Sequence, residues 1–375
     1  MNYRKLGRTG LEVSEVGLGT EYLNGQPRET VVSTIREAVS NRVNYFDVLF
    51  SFPEYLDNLS AGLDGLRERV IIAGHLGCAE TDGQYRLSRD PQECGTNFLD
   101  MLSRLKTDRV DVLMLQNVDE EEDYRGLVGP GGLLELALRF RQEGKAAFLG
   151  LSGHTVPVPL EAVRSGCFDV IMFPANPACD AMPPEVLPWH EEGAPAREQR
   201  PGGPGARRSF YQTCAAEGVA VVGMKPFGGG RLLQEGEGGA LTPVQCISYA
   251  LSQPAVATVI PGAKNTEELR AALRYVTASD EERDFSSALV RSSWALKGSC
   301  CYCNHCLPCP SEINIGQVLR LLDSARQGVS DELRAQYRSL EATASACVEC
   351  GECAERCPFG VDVIAGMQEA ARALG

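Results

Sequence analysis

The chain has no run of about 18 consecutive apolar residues, so nothing in it is built to cross a bilayer as a helix. Its opening residues, Met1-Asn2-Tyr3-Arg4-Lys5, lack the apolar stretch of a secretory leader, so a cytoplasmic protein is expected. Positive charge is in short supply. Lys and Arg number 36 against 50 Asp and Glu, and a net charge of -14 would repel a phosphate backbone, so nucleic acid is excluded as a partner. What remains has the composition of a soluble globular protein, 43% hydrophobic and 23% charged. A length of 375 residues suits one large domain with a smaller one, or two of middling size.

What the chain has in quantity is cysteine, concentrated near its end. The stretch Cys300-Cys301-Tyr302-Cys303-Asn304-His305-Cys306-Leu307-Pro308-Cys309-Pro310 is followed, 36 residues later, by Cys347-x2-Cys350-x2-Cys353-x3-Cys357-Pro358. The second run has the spacing of bacterial iron–sulfur ferredoxins, in which the fourth cysteine commonly ligates the other cluster. The first is one residue shorter in its last gap. A natural wiring puts Cys300, Cys303, Cys306 and Cys357 on one 4Fe–4S cluster and Cys309, Cys347, Cys350 and Cys353 on a second. Zinc or disulfides are the competing readings. Zinc does not explain the paired Cys-Pro ends, and a reducing compartment argues against a disulfide framework. Cys301 is surplus and reads as a packing thiol, while His305 would tune or shield a cluster.

Residues 1–280 alternate short apolar runs with amphipathic segments. The strand candidates are Val13–Leu18, Asn44–Asp47, Val70–Ala73, Val110–Leu115, Ala147–Leu151, Val170–Phe173, Val219–Gly223 and Thr258–Ile260. Thr30–Ser40, Glu135–Glu143 and Thr266–Tyr275 have helical periodicity. Repeated strand-then-helix units with strands apolar on both faces predict an α/β fold, a parallel sheet closed as a (β/α)8 TIM barrel. A doubly wound open sheet is the alternative, but no Gly-x-Gly-x-x-Gly follows the first strand. Trp189–Ser209, rich in Pro, Gly and Arg, should be a long surface loop at the face where barrels build active sites.

The opening Tyr3-Arg4-Lys5-Leu6-Gly7-Arg8-Thr9-Gly10-Leu11-Glu12-Val13-Ser14, with Gly17-Leu18-Gly19-Thr20, resembles the aldo-keto reductases. So do Asn44-Tyr45-Phe46-Asp47, Gly223-Met224-Lys225-Pro226-Phe227-Gly228-Gly229-Gly230-Arg231 and Val259-Ile260-Pro261-Gly262-Ala263-Lys264. A subgroup of that family carries a C-terminal ferredoxin-like extension with both cysteine motifs. The resemblance implies a (β/α)8 barrel over residues 1–283, a ferredoxin-like domain with two 4Fe–4S clusters over 284–375, and carbonyl reduction with NADPH.

The family's chemistry uses an aspartate, a tyrosine proton donor, a lysine and a histidine. Asp47 stands at the aspartate position. The tyrosine position is Phe52, which has no proton to give, the lysine position is His75, and the histidine position is Gln116. Tyr55, three residues past Phe52, could substitute. For the cofactor, the resemblance implies roles for Gly19, Thr20, Ser152 and Asn176. It implies the same for Lys225, Phe227, Gly228, Gly229 and Arg231 around a phosphate-binding turn, and for Gly262, Lys264 and Glu268 at the adenosine phosphate. The family's glutamine and stacking tyrosine are replaced by Met172 and Ala175, so the ligand is either NADP(H) or another phosphorylated compound. A bland alternative holds throughout: glycines also serve tight loops, and a strand-end histidine can be structural.

The expected catalytic set is Asp47, His75, Gln116 and His154, at the strand ends of the barrel's C-terminal face. Cys78, three residues after His75, could add a ligand or redox thiol but reads first as an inert small hydrophobe, while Cys94, Cys167, Cys179, Cys214 and Cys246 have no partner spacing and read as packing residues. Between the cysteine motifs, Val318, Leu321, Leu322 and Ala325 share a helical face, and Leu333–Ala344 also looks helical, so the extension should be mainly α-helical, joined by a linker at Asp284–Gly298. The favoured function is an iron–sulfur oxidoreductase passing electrons between an external carrier and a small polar carbonyl or hydroxyl substrate. The alternatives are an NADPH carbonyl reductase with accessory clusters, a cluster-dependent dehydratase or lyase, and a non-catalytic binding scaffold.

Overall fold

A computed structural model describes residues 1–81, 84–180, 205–234, 241–291, 300, 306–326, 328–357 and 360–375. Cys301, Cys303, His305, Pro358, residues 189–204 of the expected loop and residues 292–298 of the expected linker lie outside them.

The chain opens with an antiparallel hairpin, β1 (Tyr3–Lys5) and β2 (Glu12–Ser14), before the first barrel strand, β3 (Leu18–Gly19). The expected single strand Val13–Leu18 is therefore two. Val13, Val16 and Leu18 are all fully buried, so an apolar pattern alone does not show the break between them. The hairpin closes the bottom of the barrel. Gly7 sits at φ +53, and a Cβ there would lie 2.4 Å from the carbonyl of Gly218, at the foot of a later strand. Only glycine permits that approach.

The barrel continues through β4 (Tyr45–Val48) and β5 (Ile71–Leu76), then a separate antiparallel hairpin, β6 (Cys78–Thr81) and β7 (Gln84–Leu87). It resumes with β8 (Val110–Leu115), β9 (Ala146–Ser152), β10 (Val170–Pro174), β11 (Ala220–Met224) and β12 (Val256–Ile260). The eight strands pair in the order β3-β4-β5-β8-β9-β10-β11-β12. Every pairing is parallel. Two parallel bridges, Val16 to Val259 and Gly19 to Gly262, join the ends. The open-sheet alternative is thereby excluded.

Two cores explain why the strands are apolar on both faces. Val112, Met114, Met172, Val222 and Ile260 fill the barrel interior, while Val110, Leu113, Leu115, Ile171 and Val221 face the surrounding helices. Along Val112–Leu115 of β8 the two sets alternate, as the period of a strand demands.

Residues 205–209, read from sequence as loop, begin the helix Gly205–Ala216; Phe210, Tyr211 and Cys214 bury one of its faces. Cys167 is exposed rather than a packing residue. The described part of the linker is also ordered, with helix Ser286–Arg291 placing Phe285, Ala288 and Leu289 against Leu232, Cys246 and Tyr249.

The tail is helical, with Ile315–Ala325 packed on Val363–Leu374. Gly366 allows the close crossing, since a Cβ there would lie 2.6 Å from Leu319 Cδ2. The expected helix 333–344 stops at Arg338. Beyond it the buried Tyr337 hydroxyl accepts from the Ala344 N–H at 2.9 Å, turning the chain back. That local bond replaces a helical one.

Tail and barrel meet through Arg208 and Asp323 at 3.1 Å, and through Arg320, which donates to the Ser252 carbonyl at 2.9 Å. Behind this seam the buried Asp180 accepts from Tyr211 (3.1 Å) and Tyr249 (2.9 Å). Burial pushes its carboxyl up to about 6, against the pull of Arg207 and the two hydroxyls. A folded-state value above the ordinary one favours the protonated fold, so this group's contribution is fully present below about pH 4 and lost as pH rises through 6. The loss is on the order of 3 kcal/mol. Melting curves of wild type and Asp180→Asn between pH 4.5 and 7.5 should converge or cross over that interval; a constant difference would show that Asp180 does not titrate there.

Candidate active site

A cavity of about 550 Å³ opens at the C-terminal ends of the strands. Its floor is apolar, made by Met172, Met224 and Ile260. Asp47, His75, Gln116 and His154, the four expected catalytic residues, all line it. The fold gathers them because each follows or ends a different parallel strand, and all parallel strands end on one face.

Asp47 Oδ1 lies 2.8 Å from His75 Nε2, and both side chains are almost fully buried. Nδ1 of His75 has no hydrogen-bond partner among the described residues. A carboxylate on one nitrogen orients the ring and leaves the other to take or give a proton. His154 forms a second pair, with Nδ1 2.9 Å from Asp119 Oδ2. Asp119 also accepts the backbone N–H groups of His154 (2.5 Å) and Thr155 (3.0 Å). Burial would raise Asp119, but His154 and the backbone N–H groups outweigh it and hold the carboxyl below its ordinary value.

Gln116 accepts from Ser152 Oγ at 3.4 Å, and Ser152 Oγ accepts the Asn117 N–H at 2.8 Å. Phe52 is not among the residues lining the cavity; its ring lies against Phe50, 5.0 Å between centroids. Tyr55 is buried, bonded to Thr20 Oγ1 at 2.5 Å, and burial pushes its phenol far up. Neither replaces the family's proton donor. Phe52→Tyr should therefore bring no measurable gain in NADPH-dependent reduction of generic aldehydes; recovered turnover would show that position 52 still addresses the cavity.

A tyrosine does reach the cavity, from an element the strand pattern did not suggest. Tyr85, on β7, lines it, hydrogen-bonds Gln116 and Cys78, and sets its ring edge-on to Phe50 at 5.6 Å. Burial holds its phenol protonated well above the ordinary range. Asp82-Gly83 between two short runs is a hairpin signal that could have revealed it. Cys78 beside it is buried and its thiol is pushed up to about 12, as suits an inert packing residue.

The expected cofactor residues divide. Gly19, Ser152, Lys225, Phe227, Gly229 and Gly262 line the cavity. Lys225 is held below the ordinary lysine range by burial, partly offset by Glu21, which burial raises. With the left-handed turn at Gly228, Gly229 and Gly230 (φ +57, +67 and +86), Lys225 fits an anionic group such as a phosphate. Thr20 donates to the Asp47 carbonyl at 2.6 Å. Asn176 is buried, its amide spent on the Lys225 carbonyl (2.9 Å) and the Cys179 N–H (2.9 Å). Glu268 caps the Lys264 N–H at 2.8 Å. Gly228, Arg231, Lys264 and Glu268 are not among the residues lining the cavity. At the nicotinamide end, Ser152 and Asn176 are committed to internal bonds and Met172 offers none. That wall does not fit a nicotinamide carboxamide, so no step is routed through one.

In the tail, one hollow is lined by Cys309, Cys347, Cys350 and Cys353 together. Burial raises the Cys353 thiol, and Cys347 and Cys350 beside it add to the shift. Among the described residues, no three metal-binding side chains converge on a point as a single ion requires. A 4Fe–4S cube is held instead by four thiols around it, and all four of these cysteines line the one hollow. Of the other set, Cys300, Cys306 and Cys357 are described and Cys303 is not. No described cysteine forms a disulfide.

A parallel barrel with its polar cluster at the strand ends is thus joined to a helical module in which four cysteines line one hollow. Residues 15–176 match the Aldo/keto reductase family, and residues 299–362 match the 4Fe-4S dicluster domain. The chain is an aldo/keto reductase-type oxidoreductase carrying a C-terminal 4Fe–4S domain. It is 28% identical over 283 residues to the uncharacterized oxidoreductase YqkF of Bacillus subtilis (strain 168), covering 72% of this chain and 89% of that protein. It is 29% identical over 180 residues to L-galactose dehydrogenase of Arabidopsis thaliana, covering 45% of this chain and 54% of that one. The fold is that of an aldo-keto reductase from Bacillus halodurans in its holo form, with a TM-score of 0.60 and 22% identity over 79% of this chain and 97% of that chain. Among the described residues no helix is long and apolar enough to cross a membrane.

Proposed function

We propose that this chain passes electrons through two 4Fe–4S clusters to or from a small polar carbonyl or hydroxyl compound bound in the barrel cavity. Residues 1–283 form the substrate-binding barrel and residues 284–375 the cluster domain. The observation that carries the reading is the buried Asp47–His75 pair, with Nδ1 unpartnered among the described residues, at a cavity where the family's tyrosine and lysine are replaced. The site retains proton transfer and has lost the standard means of assisting hydride transfer.

The clusters, when bound, supply or accept electrons one at a time. Turning C=O into CH–OH takes two electrons and two protons. The electrons come from two equivalents of an external one-electron carrier, which is oxidised in turn. His75 Nδ1 delivers one proton and Asp47 holds the ring for it; Tyr85, a phenol kept protonated, is placed to give the other. Gln116 orients the oxygen without titrating. Lys225 and the glycine turn would hold an anionic group of the substrate, such as a phosphate or carboxylate.

The test is anaerobic. Reconstituted protein should carry about eight irons per chain with matching sulfide. Reduced by a low-potential reagent and freed of excess, it should be reoxidised by some member of a panel of polar, anionic carbonyl compounds. None of them should be reduced by the protein with NADPH alone. A preparation with zinc and no sulfide after reconstitution, or brisk NADPH-dependent reduction of ordinary aldehydes, would overturn the reading.

A further inference from the structure

Two histidines at the cavity are paired with carboxylates, and the second pair takes no part in the proposed electron transfer. His75 is bonded through Nε2 to Asp47, and its side chain is fully buried. His154 is bonded through Nδ1 to Asp119 Oδ2 at 2.9 Å, and 14% of its side chain is accessible. The pairing fixes which nitrogen of His154 can act. Asp119 Oδ1 already accepts the N–H groups of His154 and Thr155, at 2.5 and 3.0 Å. Burial pulls the other way, but His154 and these N–H groups hold the carboxyl below its ordinary value, so it stays ionised and accepts at Oδ2 as well. A neutral His154 therefore carries its hydrogen on Nδ1 and keeps a lone pair at Nε2, the atom left for the cavity.

The pair is held in place from several sides. Thr155 Oγ1 donates to the Asp119 carbonyl at 3.1 Å. The buried Arg207, on helix Gly205–Ala216, donates to the His154 carbonyl at 2.8 Å, its guanidinium 4.7 Å over the Phe173 ring. A base fixed in this way needs little rearrangement before it takes a proton. The strand order β5-β8-β9 sets His75, Gln116 and His154 one after another around the barrel rim. Gln116, in the middle, has an amide that can donate to a carbonyl oxygen, and Lys225 lines the same cavity. A donor for the oxygen with a base to one side is the arrangement that removes a proton from the carbon next to a carbonyl.

From this arrangement we propose a further activity. His154 Nε2 acts as general base on the carbon next to the carbonyl of a small anionic carbonyl compound, and the chain enolises that compound with no net redox change. The substrate class is that of the proposed function, on which this step rests; no electron from a cluster is needed. The C–H bond breaks and its electron pair becomes the C=C bond of an enolate. The proton goes to Nε2, where Asp119 offsets the new positive charge, while the Gln116 amide donates to the negative oxygen. Lys225 holds the anionic group. Returning the proton to the same carbon restores the compound, with every atom and electron recovered. In heavy water the protonated ring trades its proton with solvent at its accessible edge, so the compound gains deuterium.

The test uses full-length reconstituted protein, unreduced and without NADPH, in heavy water with hydroxypyruvate or dihydroxyacetone phosphate. Proton NMR follows the C–H signal next to the carbonyl. At least one probe should lose that signal well above the buffer rate; no protein-dependent exchange with either overturns the proposal. His154→Gln should slow exchange by about 10² to 10⁴, the usual contribution of a positioned base, with iron content and melting temperature unchanged. Undiminished exchange in that variant also overturns it. If the variant does not fold, labelling of wild type with diethyl pyrocarbonate, read by peptide mass spectrometry, decides. Exchange should fall in proportion to the His154 labelled, and the exchanging probe should slow that labelling. Exchange that survives complete labelling of His154 rejects the proposal. Exchange without reoxidation of pre-reduced protein by the carbonyl panel would sink the proposed electron transfer and leave this activity standing. Reoxidation without exchange would do the reverse.

Discussion

His75→Ala should lower substrate turnover by about 10² to 10⁴, the usual contribution of a positioned proton donor or base, with iron and sulfide content unchanged. The ring is buried against Asp47, at 2.8 Å, and its second nitrogen has no described hydrogen-bond partner. Removing it takes away the transferable proton and leaves a buried carboxylate without its ring partner. Asp47→Asn should be milder in rate, because an amide can still contact and orient the ring. The measurement is reoxidation of pre-reduced protein by whichever polar carbonyl the panel identifies, with iron assayed on the same sample. If His75→Ala, Asp47→Asn and Gln116→Ala all keep full activity, the reaction does not take place at the barrel mouth.

Stripping the iron should loosen the tail and leave the barrel folded. The tail's own apolar core is small, built around Ile313, Val318, Leu322, Tyr337, Val363 and Met367. Small metal-bound domains draw much of their folding free energy from the metal. The segments that carry Cys309 and Cys347–Cys353 meet around one hollow. Hydrogen exchange on chelated protein should therefore show amides of residues 306–375 losing protection by orders of magnitude, with those of β8 and β9 unchanged. Cys350→Ser should produce a partial version, with one cluster removed or converted. A tail that keeps full protection without iron would mean that its helices fold on packing alone.

Some features of this protein are written locally and are legible without a structure. The spacing of the eight cysteines is a property of two short stretches, so it announces clusters whatever the rest of the chain does. The alternation of apolar runs and amphipathic segments reflects two buried faces on each strand, and seven of the eight strand candidates correspond to single barrel strands. The eighth failed where the bottom hairpin and the first barrel strand present one unbroken apolar pattern.

Which residues meet was decided by the tertiary structure. Asp47 and His75 are 28 positions apart and pair because β4 and β5 lie side by side and in register. Tyr85 reaches the cavity only because the hairpin β6–β7 departs from the barrel; nothing in the strand-and-helix period points there. Asn176 and Ser152 stand where a cofactor residue was expected, and the fold spends their hydrogen bonds on neighbouring backbone and side chains. The cysteine spacing names eight candidate ligands but not their surroundings. Those surroundings depend on contacts such as the bond from Arg208 to the Cys300 carbonyl, which joins residues 92 positions apart. Local chemistry is carried by neighbouring side chains and can be read along the chain, whereas the order and surroundings of a site come from packing between distant segments.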